Sequence, residues 1–383
     1  MKKIVTIIGA RPQIIKAAAI SRALKNEFEG KIQEVIVHTG QHYDANMSDV
    51  FFGELGIPKP NYNLNIGSGQ HGGQTAGMLQ GIEEILVKEA ADLLLIYGDT
   101  NSTIAGSLAA SKIHIPVAHI EAGLRSYNKS MPEEINRVLS DHVSSLLFCP
   151  TDSALVNLEK EGFELNRPIK NASIDHPGVY KSGDVMLDNT LYFTQLAEAK
   201  SELLERHGLK SGQFILSTCH RPSNTDDPTN INAIFNSLLK IAEESELKVV
   251  LPIHPRTQKC MDQHLSAELK RAIESSVKFI IIPPVSFLEM ILLENHCKMI
   301  VTDSGGVQKE AFFLHKPCIV LREETEWVEL VENGNAILTG PDELKIADAF
   351  EKLLDGNFTY PNYYGDGRAS ENICETLFEF MNK

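Results

Sequence analysis

Three carboxylates stand where strand-like runs end. Asp99 follows the apolar run Leu93 to Tyr97, and Glu121 follows Val117 to Ile120 with His119 and Arg125 nearby. Glu133 lies in Met131-Pro132-Glu133-Glu134-Ile135-Asn136-Arg137, which opens the next helix. A carboxylate at a helix start is commonly a partner of the helix dipole, and Glu134 is read that way. Asp99, Glu121 and Glu133 carry a catalytic reading, because strand ends of one parallel sheet converge on a single ligand-facing edge. Carboxylates crowded there raise one another's pKa and supply an ionised base beside a protonated acid.

A second set of residues suits an anion. Arg11 and Lys16 flank the turn Gly9-Ala10-Arg11-Pro12, where Pro12 fits the first turn of a helix. Downstream, Thr302-Asp303-Ser304-Gly305-Gly306-Val307-Gln308-Lys309-Glu310 reads as a strand end, a small-residue turn and a helix start. Amides of a helix's first turn lack intrahelical partners, so Ser304, Gly305 and Gly306 can cradle phosphate oxygens. An N-cap is the plainer role for Ser304. Glu310, one and a half turns into that helix, can accept two ribose hydroxyls, although an exposed helix carboxylate is the commoner case. His220-Arg221 follows the strand Phe214 to Ser217, and His254-Pro255-Arg256 follows Val249 to Ile253. Two His/Arg turns and a Ser-Gly-Gly turn at three strand ends make a diphosphate clamp.

The elements that must position these residues are legible as an alternation. Short β-branched runs (Ile4 to Ile8, Glu34 to His38, Leu93 to Tyr97, Val117 to Ile120, Phe214 to Ser217, Val249 to Ile253, Phe279 to Ile282, Met299 to Thr302, Cys318 to Leu321) are separated by amphipathic stretches such as Ile15 to Lys25, Thr75 to Lys88, Pro132 to Ser145, Ile231 to Glu244 and Val307 to Phe313. Strand–helix alternation implies βαβ units, so the fold class is α/β with two Rossmann-like domains on parallel sheets and an interdomain cleft. Periodicity lapses between Arg167 and Val185, and the boundary is placed there: residues 1–175 and residues 176–365, the second being the nucleotide-holding half.

The 383 residues carry 36 Lys plus Arg against 51 Asp plus Glu, a net charge of −15, which argues against a nucleic-acid or anionic-membrane surface. The longest apolar runs are far shorter than the ~20 residues of a bilayer span, so no membrane partner is expected. Met1-Lys2-Lys3 and the run behind it read as a first strand rather than a leader. Six cysteines, at 149, 219, 260, 297, 318 and 374, form no Cys-x-x-Cys pair, which suits reduced thiols in a cytoplasm and no metal site. With no Gly-x-Gly-x-x-Gly and no Walker A pattern, a nicotinamide cofactor or P-loop nucleotide is unsupported and no cofactor is expected.

Taken together and in this order, the motifs Gly9 to Pro12, Gly98-Asp99-Thr100, His119 to Arg125, Pro132 to Arg137, Asp303 to Glu310 and Tyr364 to Ser370 resemble those of the non-hydrolysing UDP-N-acetylglucosamine 2-epimerase family. The resemblance runs from the first strand to about Ser370. It implies a two-domain architecture of the GT-B type with a C-terminal helix, residues 366–383, packing back on the first domain, and a homodimer. It also implies inversion of a sugar's C2 without NAD or metal, by anti elimination of UDP to a 2-acetamidoglycal and readdition, in the supply of surface polysaccharide precursors. The family's acid/base carboxylates match Asp99, Glu121 and Glu133, with His220 at the departing diphosphate. Its UDP contacts match Arg11, Arg125, His220, Ser304, Gly305 and Glu310, and more loosely Phe287 beside the uracil.

Gln13 stands where Glu is usual in that family, Pro222-Ser223 interrupt a usually basic stretch, and Thr325-Glu326-Trp327-Val328-Glu329 replaces Thr-Glu-Arg-Pro-Glu. The Gln13 and Trp327 variants look like the subgroup acting on UDP-2,3-diacetamido-2,3-dideoxy-glucuronate. The Arg-Gln pair tied to activation by UDP-GlcNAc is not evident around Gly67 to Thr75, where His71 and Gln74 are the nearest candidates. Alternatives within the same fold are a glycosyltransferase, which needs an acceptor, and a hydrolysing epimerase, which releases UDP and free sugar. A non-catalytic nucleotide-sugar sensor gains nothing from clustered carboxylates.

Overall fold

Strands too apolar to show one face to water build two parallel sheets. A computed structural model of the chain describes residues 1–40, 56–200 and 202–383. Among the described residues the strands are β1 (Lys2–Ile8), β2 (Ile32–His38), β3 (Tyr62–Asn63), β4 (Leu93–Tyr97), β5 (Val117–Ile120), β6 (Leu146–Cys149) and β7 (Gly178–Lys181), then β8 (Phe214–Thr218), β9 (Lys248–Pro252), β10 (Phe279–Ile282), β11 (Met299–Thr302), β12 (Cys318–Val320) and β13 (Ala336–Leu338). The first sheet has the order β3-β2-β1-β4-β5-β6-β7 and the second β10-β9-β8-β11-β12-β13. Every named pairing is parallel. All five residues of β4 are fully buried, as a central strand covered on both faces must be.

The strand order of each sheet reverses once, between β1 and β4 in the first and between β8 and β11 in the second. Such switch points open a crevice at the carboxyl ends of the strands. The turns at Gly9–Pro12 and Gly98–Asp99 stand at the first switch point; those at Cys219–Arg221 and Asp303–Gly306 stand at the second. The α/β class expected from the alternation is the one observed, with a Rossmann-like sheet in each half.

The chain divides into two units, Met1–Asn189 with Asn362–Lys383, and Thr190–Pro361. The division at residue 175 therefore falls too early. β7 lies beyond it and pairs with β6, Leu146 opposite Gly178, so the turn-forming run Asn171 to Gly178 is a connection inside the first unit. The C-terminal helix Ala369–Met381 belongs to that same unit. Asp188 receives the N–H groups of Ala369 at 3.1 Å and Ser370 at 2.7 Å, and the Ser370 hydroxyl at 2.6 Å.

The helix Asn101–Lys112 has no counterpart among the amphipathic stretches. Nine of its residues, from Asn101 to Ala110, are buried, so it shows no polar face for the sequence pattern to reveal. It packs against both the helix His71–Glu89 and the helix Pro132–His142. None of the described helices is long and apolar enough to cross a membrane.

Candidate active site

In the first unit the pairing of Tyr97 with Ile120 brings the ends of β4 and β5 side by side, and with them Asp99 and Glu121. Gly98 at φ +59° and Glu121 at φ +68° take left-handed backbone, which glycine adopts freely and glutamate does not. Strain of that kind gathers at functional positions. Glu121 forms an ion pair with Lys16, both side chains 11% exposed. Lys16, expected at the flank of a bound anion, is thus the partner of a carboxylate, because its helix Arg11–Glu27 runs from the turn after β1 past the β4 and β5 strand ends. A Cβ on Gly98 would lie 3.2 Å from Glu121 Oε2 and 3.4 Å from Lys16 Nζ, so a residue without a side chain leaves the pair its room.

Asp99 forms an ion pair with Arg137, whose guanidinium is nearly buried. Burial raises the Asp99 carboxyl above its ordinary value; Arg137 and Lys16 pull it down, and the nearby Glu121 pushes it further up. Asn136 Nδ2 donates to Asp99 O at 2.9 Å. Glu133 is exposed, three and four residues ahead of Asn136 and Arg137, and so shares the helix face from which both reach Asp99. Glu134, read as a partner of the helix dipole, also holds the preceding loop. It accepts from Ser126 N at 2.9 Å, Tyr127 N at 2.9 Å and Arg137 Nη1 at 3.1 Å.

Arg125 is enclosed by acceptors of its own unit. Its side chain is 1% exposed; Nε and Nη2 bond Glu161 at 2.6 and 2.8 Å, and Nη1 bonds Leu124 O and Asp141 Oδ2, each at 2.7 Å. A guanidinium so enclosed holds the loop that carries Glu121. Asp141, which sequence reasoning missed, is the hub of that loop. It accepts from Gly123 N at 3.1 Å and from Arg125, and its Oδ1 lies 2.7 Å from His119 Nδ1. Burial opposes its ionisation, but bonds from His119 and Arg125 prevail and keep its carboxyl below the usual range. Arg11 is exposed at the first helical turn after β1. Gln13 fastens that turn, accepting from Gly9 N at 2.9 Å and donating to Tyr97 O at 2.9 Å and Thr103 Oγ1 at 3.1 Å. A glutamate there could accept but, when ionised, could not donate.

In the second unit Asp303 does for β8 what Asp141 does for β5. Fully buried, it accepts from His220 N at 3.0 Å, Arg221 N at 2.9 Å and Asn224 Nδ2 at 3.1 Å, and lies 3.2 Å from His220 Nδ1. The His220 ring, 48% exposed, is held by one edge with the other turned outward. Ser304 caps the helix Gly305–Phe313 through Val307 N. Trp327 Nε1 donates to Gly305 O at 3.0 Å, and Lys309 lies over the Trp327 ring at 4.2 Å. Arg322 pairs with Glu326 through two contacts of 3.0 and 3.1 Å. Burial and the nearby Arg322 lower the Arg221 guanidinium from its ordinary value.

Two members of the expected clamp, His254 and Arg256, have partners within the chain. His254 caps its own helix, accepting from Arg256 N at 3.2 Å, and Arg256 pairs with Asp226 at 2.7 Å. The Phe287 ring is buried edge-on against Phe193, centroids 5.3 Å apart, and is committed to packing. Glu310 is nearly buried beside Glu294, whose own carboxyl burial pushes well above the usual range. Among the described residues no three His, Cys, Asp or Glu side chains group as a metal site.

Comparison with known proteins points to a family. Residues 23–378 match the family model for UDP-N-acetylglucosamine 2-epimerase. The chain is 48% identical over 381 residues to the UDP-2,3-diacetamido-2,3-dideoxy-D-glucuronate 2-epimerase of Pseudomonas aeruginosa, covering 98% of this chain and 99% of that one. It is 49% identical over 376 residues to a UDP-N-acetylglucosamine 2-epimerase homolog of Methanococcus maripaludis, with the same coverage. The crystal structure of Methanocaldococcus jannaschii UDP-GlcNAc 2-epimerase in complex with UDP-GlcNAc and UDP superposes with a TM-score of 0.83 at 42% identity, covering 98% of this chain and 99% of that one. Paired carboxylates at one switch point, a glycine-rich helix start at another and this depth of likeness lead to one statement: the chain belongs to the UDP-N-acetylglucosamine 2-epimerase family.

Proposed function

We propose that the protein inverts C2 of a UDP-2-acetamido sugar without hydrolysing it, acting on UDP-GlcNAc or on its 2,3-diacetamido-glucuronate counterpart. One carboxylate removes the C2 proton. The C1–C2 double bond forms as the C1–O bond breaks, and the electron pair leaves on the β-phosphate oxygen of UDP. The resulting 2-acetamidoglycal takes a proton at C2 from the opposite face, and the same UDP oxygen adds back to C1. A sugar C2–H is barely acidic, so the step needs a carboxylate in near-attack geometry together with a stabilised leaving group.

The observation that carries this reading is the placement of Asp99 and Glu121 at adjoining strand ends in unlike environments. Glu121 is matched by Lys16, while burial and Glu121 together favour the protonated form of Asp99. The two exchange roles with the direction of turnover, and Glu133 serves as a third acid/base group. In the second unit the amides of Gly305 and Gly306, the Ser304 turn and His220 hold the diphosphate, and Glu310 receives the ribose. Arg11 is a further phosphate ligand. One preorganised donor on a developing oxyanion is worth roughly 3 to 4 kcal/mol.

Ile135 and Leu139, one turn apart on the helix Pro132–His142, are 45% and 48% exposed and offer a second copy an apolar stripe, which supports a homodimer. Six buried thiols without a disulfide suit the cytoplasm, where nucleotide-sugar precursors of surface polysaccharide are made.

The test is acceptor-free turnover of UDP-GlcNAc and of the diacetamido-uronate, side by side in D₂O, followed by proton NMR. Deuterium at C2 with intact UDP-sugar is the expected result. Release of free sugar would indicate hydrolysis, and inertness until an acceptor is added would indicate a glycosyltransferase; either rejects the reading.

A further inference from the structure

His119 is fully buried, and each of its ring nitrogens faces an oxygen. Nδ1 lies 2.7 Å from Asp141 Oδ1, and Nε2 lies 2.7 Å from the carbonyl oxygen of Gly98. A carbonyl only accepts, so Nε2 carries hydrogen. Asp141 Oδ2 accepts from the Gly123 N–H and from Arg125, and the bonds from His119 and Arg125 hold its carboxyl below the usual range, so Oδ1 meets Nδ1 as a carboxylate oxygen, which likewise only accepts. Nδ1 therefore carries hydrogen too. We propose that His119 is held as an imidazolium between the Gly98 carbonyl and the Asp141 carboxylate, and that it is the positioning residue fixing the turn that bears Asp99 to the loop that bears Glu121.

Charge closes around this assignment. Arg125 and an imidazolium supply two positive charges against Asp141 and Glu161; a neutral ring would leave a net negative charge in a low-dielectric interior, which is costly. Other groups around it do not alter that balance. Cys149 on β6 is a thiol whose ionisation burial opposes, His142 touches only the outer oxygen of Glu161, and Asp99 is matched by Arg137.

Mechanically, the ring joins two elements that must agree to within a fraction of an ångström. The Gly98 peptide is held on both sides, its N–H by Ile120 O at 3.0 Å and its carbonyl by His119, one residue before Asp99. Asp141 meanwhile anchors Gly123 and Arg125, two and four residues after Glu121. One buried charged unit thus spans both carboxylates, as an outer-shell partner orients a catalytic group. The inference rests on Asp99 and Glu121 being the acid/base pair.

The test begins with the unmodified protein labelled with ¹⁵N-histidine, His119 being assigned by its loss in His119→Gln. Long-range ¹H–¹⁵N spectra of the folded enzyme in its assay buffer should show hydrogen on both ring nitrogens. An unprotonated nitrogen there would overturn the proposal. Asp141→Asn should then return the ring to a neutral tautomer and slow C2 deuterium exchange on the order of a hundredfold, the penalty of ~1 Å misplacement, while UDP affinity by calorimetry stays as it was. Unchanged exchange, or an equal loss of UDP affinity, would remove the positioning role. Should Asp99→Asn and Glu121→Gln both keep full exchange, the acid/base reading fails instead, and the NMR signature is untouched by that result.

Discussion

Asp99 and Glu121 differ in what surrounds them more than in what they are. Each meets a cation, Arg137 for Asp99 and Lys16 for Glu121, yet burial and the like charge of Glu121 raise the Asp99 carboxyl. Asp99→Asn and Glu121→Gln are each expected to abolish C2 exchange, measured by deuterium incorporation, while UDP still binds by calorimetry. A buried carboxyl outside this pair gives a separate test. Glu294 is fully buried, and neither of its oxygens has a hydrogen-bond partner among the described residues. Its folded-state pKa lies above the unfolded one, so the native state holds the proton more tightly and stability declines as pH rises from the ordinary glutamate range through the raised value. Glu294→Met should therefore stabilise, by about 1–3 kcal/mol for an unsatisfied buried group, and by more at pH ~8 than at pH ~5. Thermal unfolding at both pH values reads the difference.

Loops after strands do the work of the elements, and each leans on one buried aspartate. Removing Asp303 would free the backbone of His220 and Arg221 and leave their N–H groups without an acceptor. Asp303→Ala is expected to weaken UDP binding by about 1–3 kcal/mol, roughly 5- to 150-fold in Kd, with the far-ultraviolet circular dichroism retained. The same elements show what a sequence can and cannot tell. Strand ends were legible because apolar runs stop abruptly, and that was enough to place Asp99, Glu121, His220 and the Ser304 turn just beyond strands. The partners of a long cation were not. Lys16 and Arg125 look like phosphate ligands by type and position, and their pairing with Glu121, and with Asp141 and Glu161, emerges only in three dimensions. The helix Asn101–Lys112, buried nearly all round, and β7, hidden behind turn formers, lack the periodicity that would have announced them.

At the scale of the molecule, the first unit is discontinuous in sequence, and Asp188 is the stitch. It accepts three hydrogen bonds from the start of the helix Ala369–Met381, which packs beside the helix Arg11–Glu27. Asp188→Ala should cost about 1–2 kcal/mol, as loss of a helix cap does. Hydrogen exchange should show protection lost first over residues 369–381 while amides of the second unit keep theirs; uniform loss would refute a local role for Asp188.

That discontinuity sets an order of events on the ribosome. The second unit, Thr190–Pro361, emerges whole and can fold as soon as it clears the exit tunnel, whereas the first, although begun earlier, waits for its last helix. A chain cut short before residue 362 would consequently harm the lobe encoded farthest from the cut and spare the adjacent one.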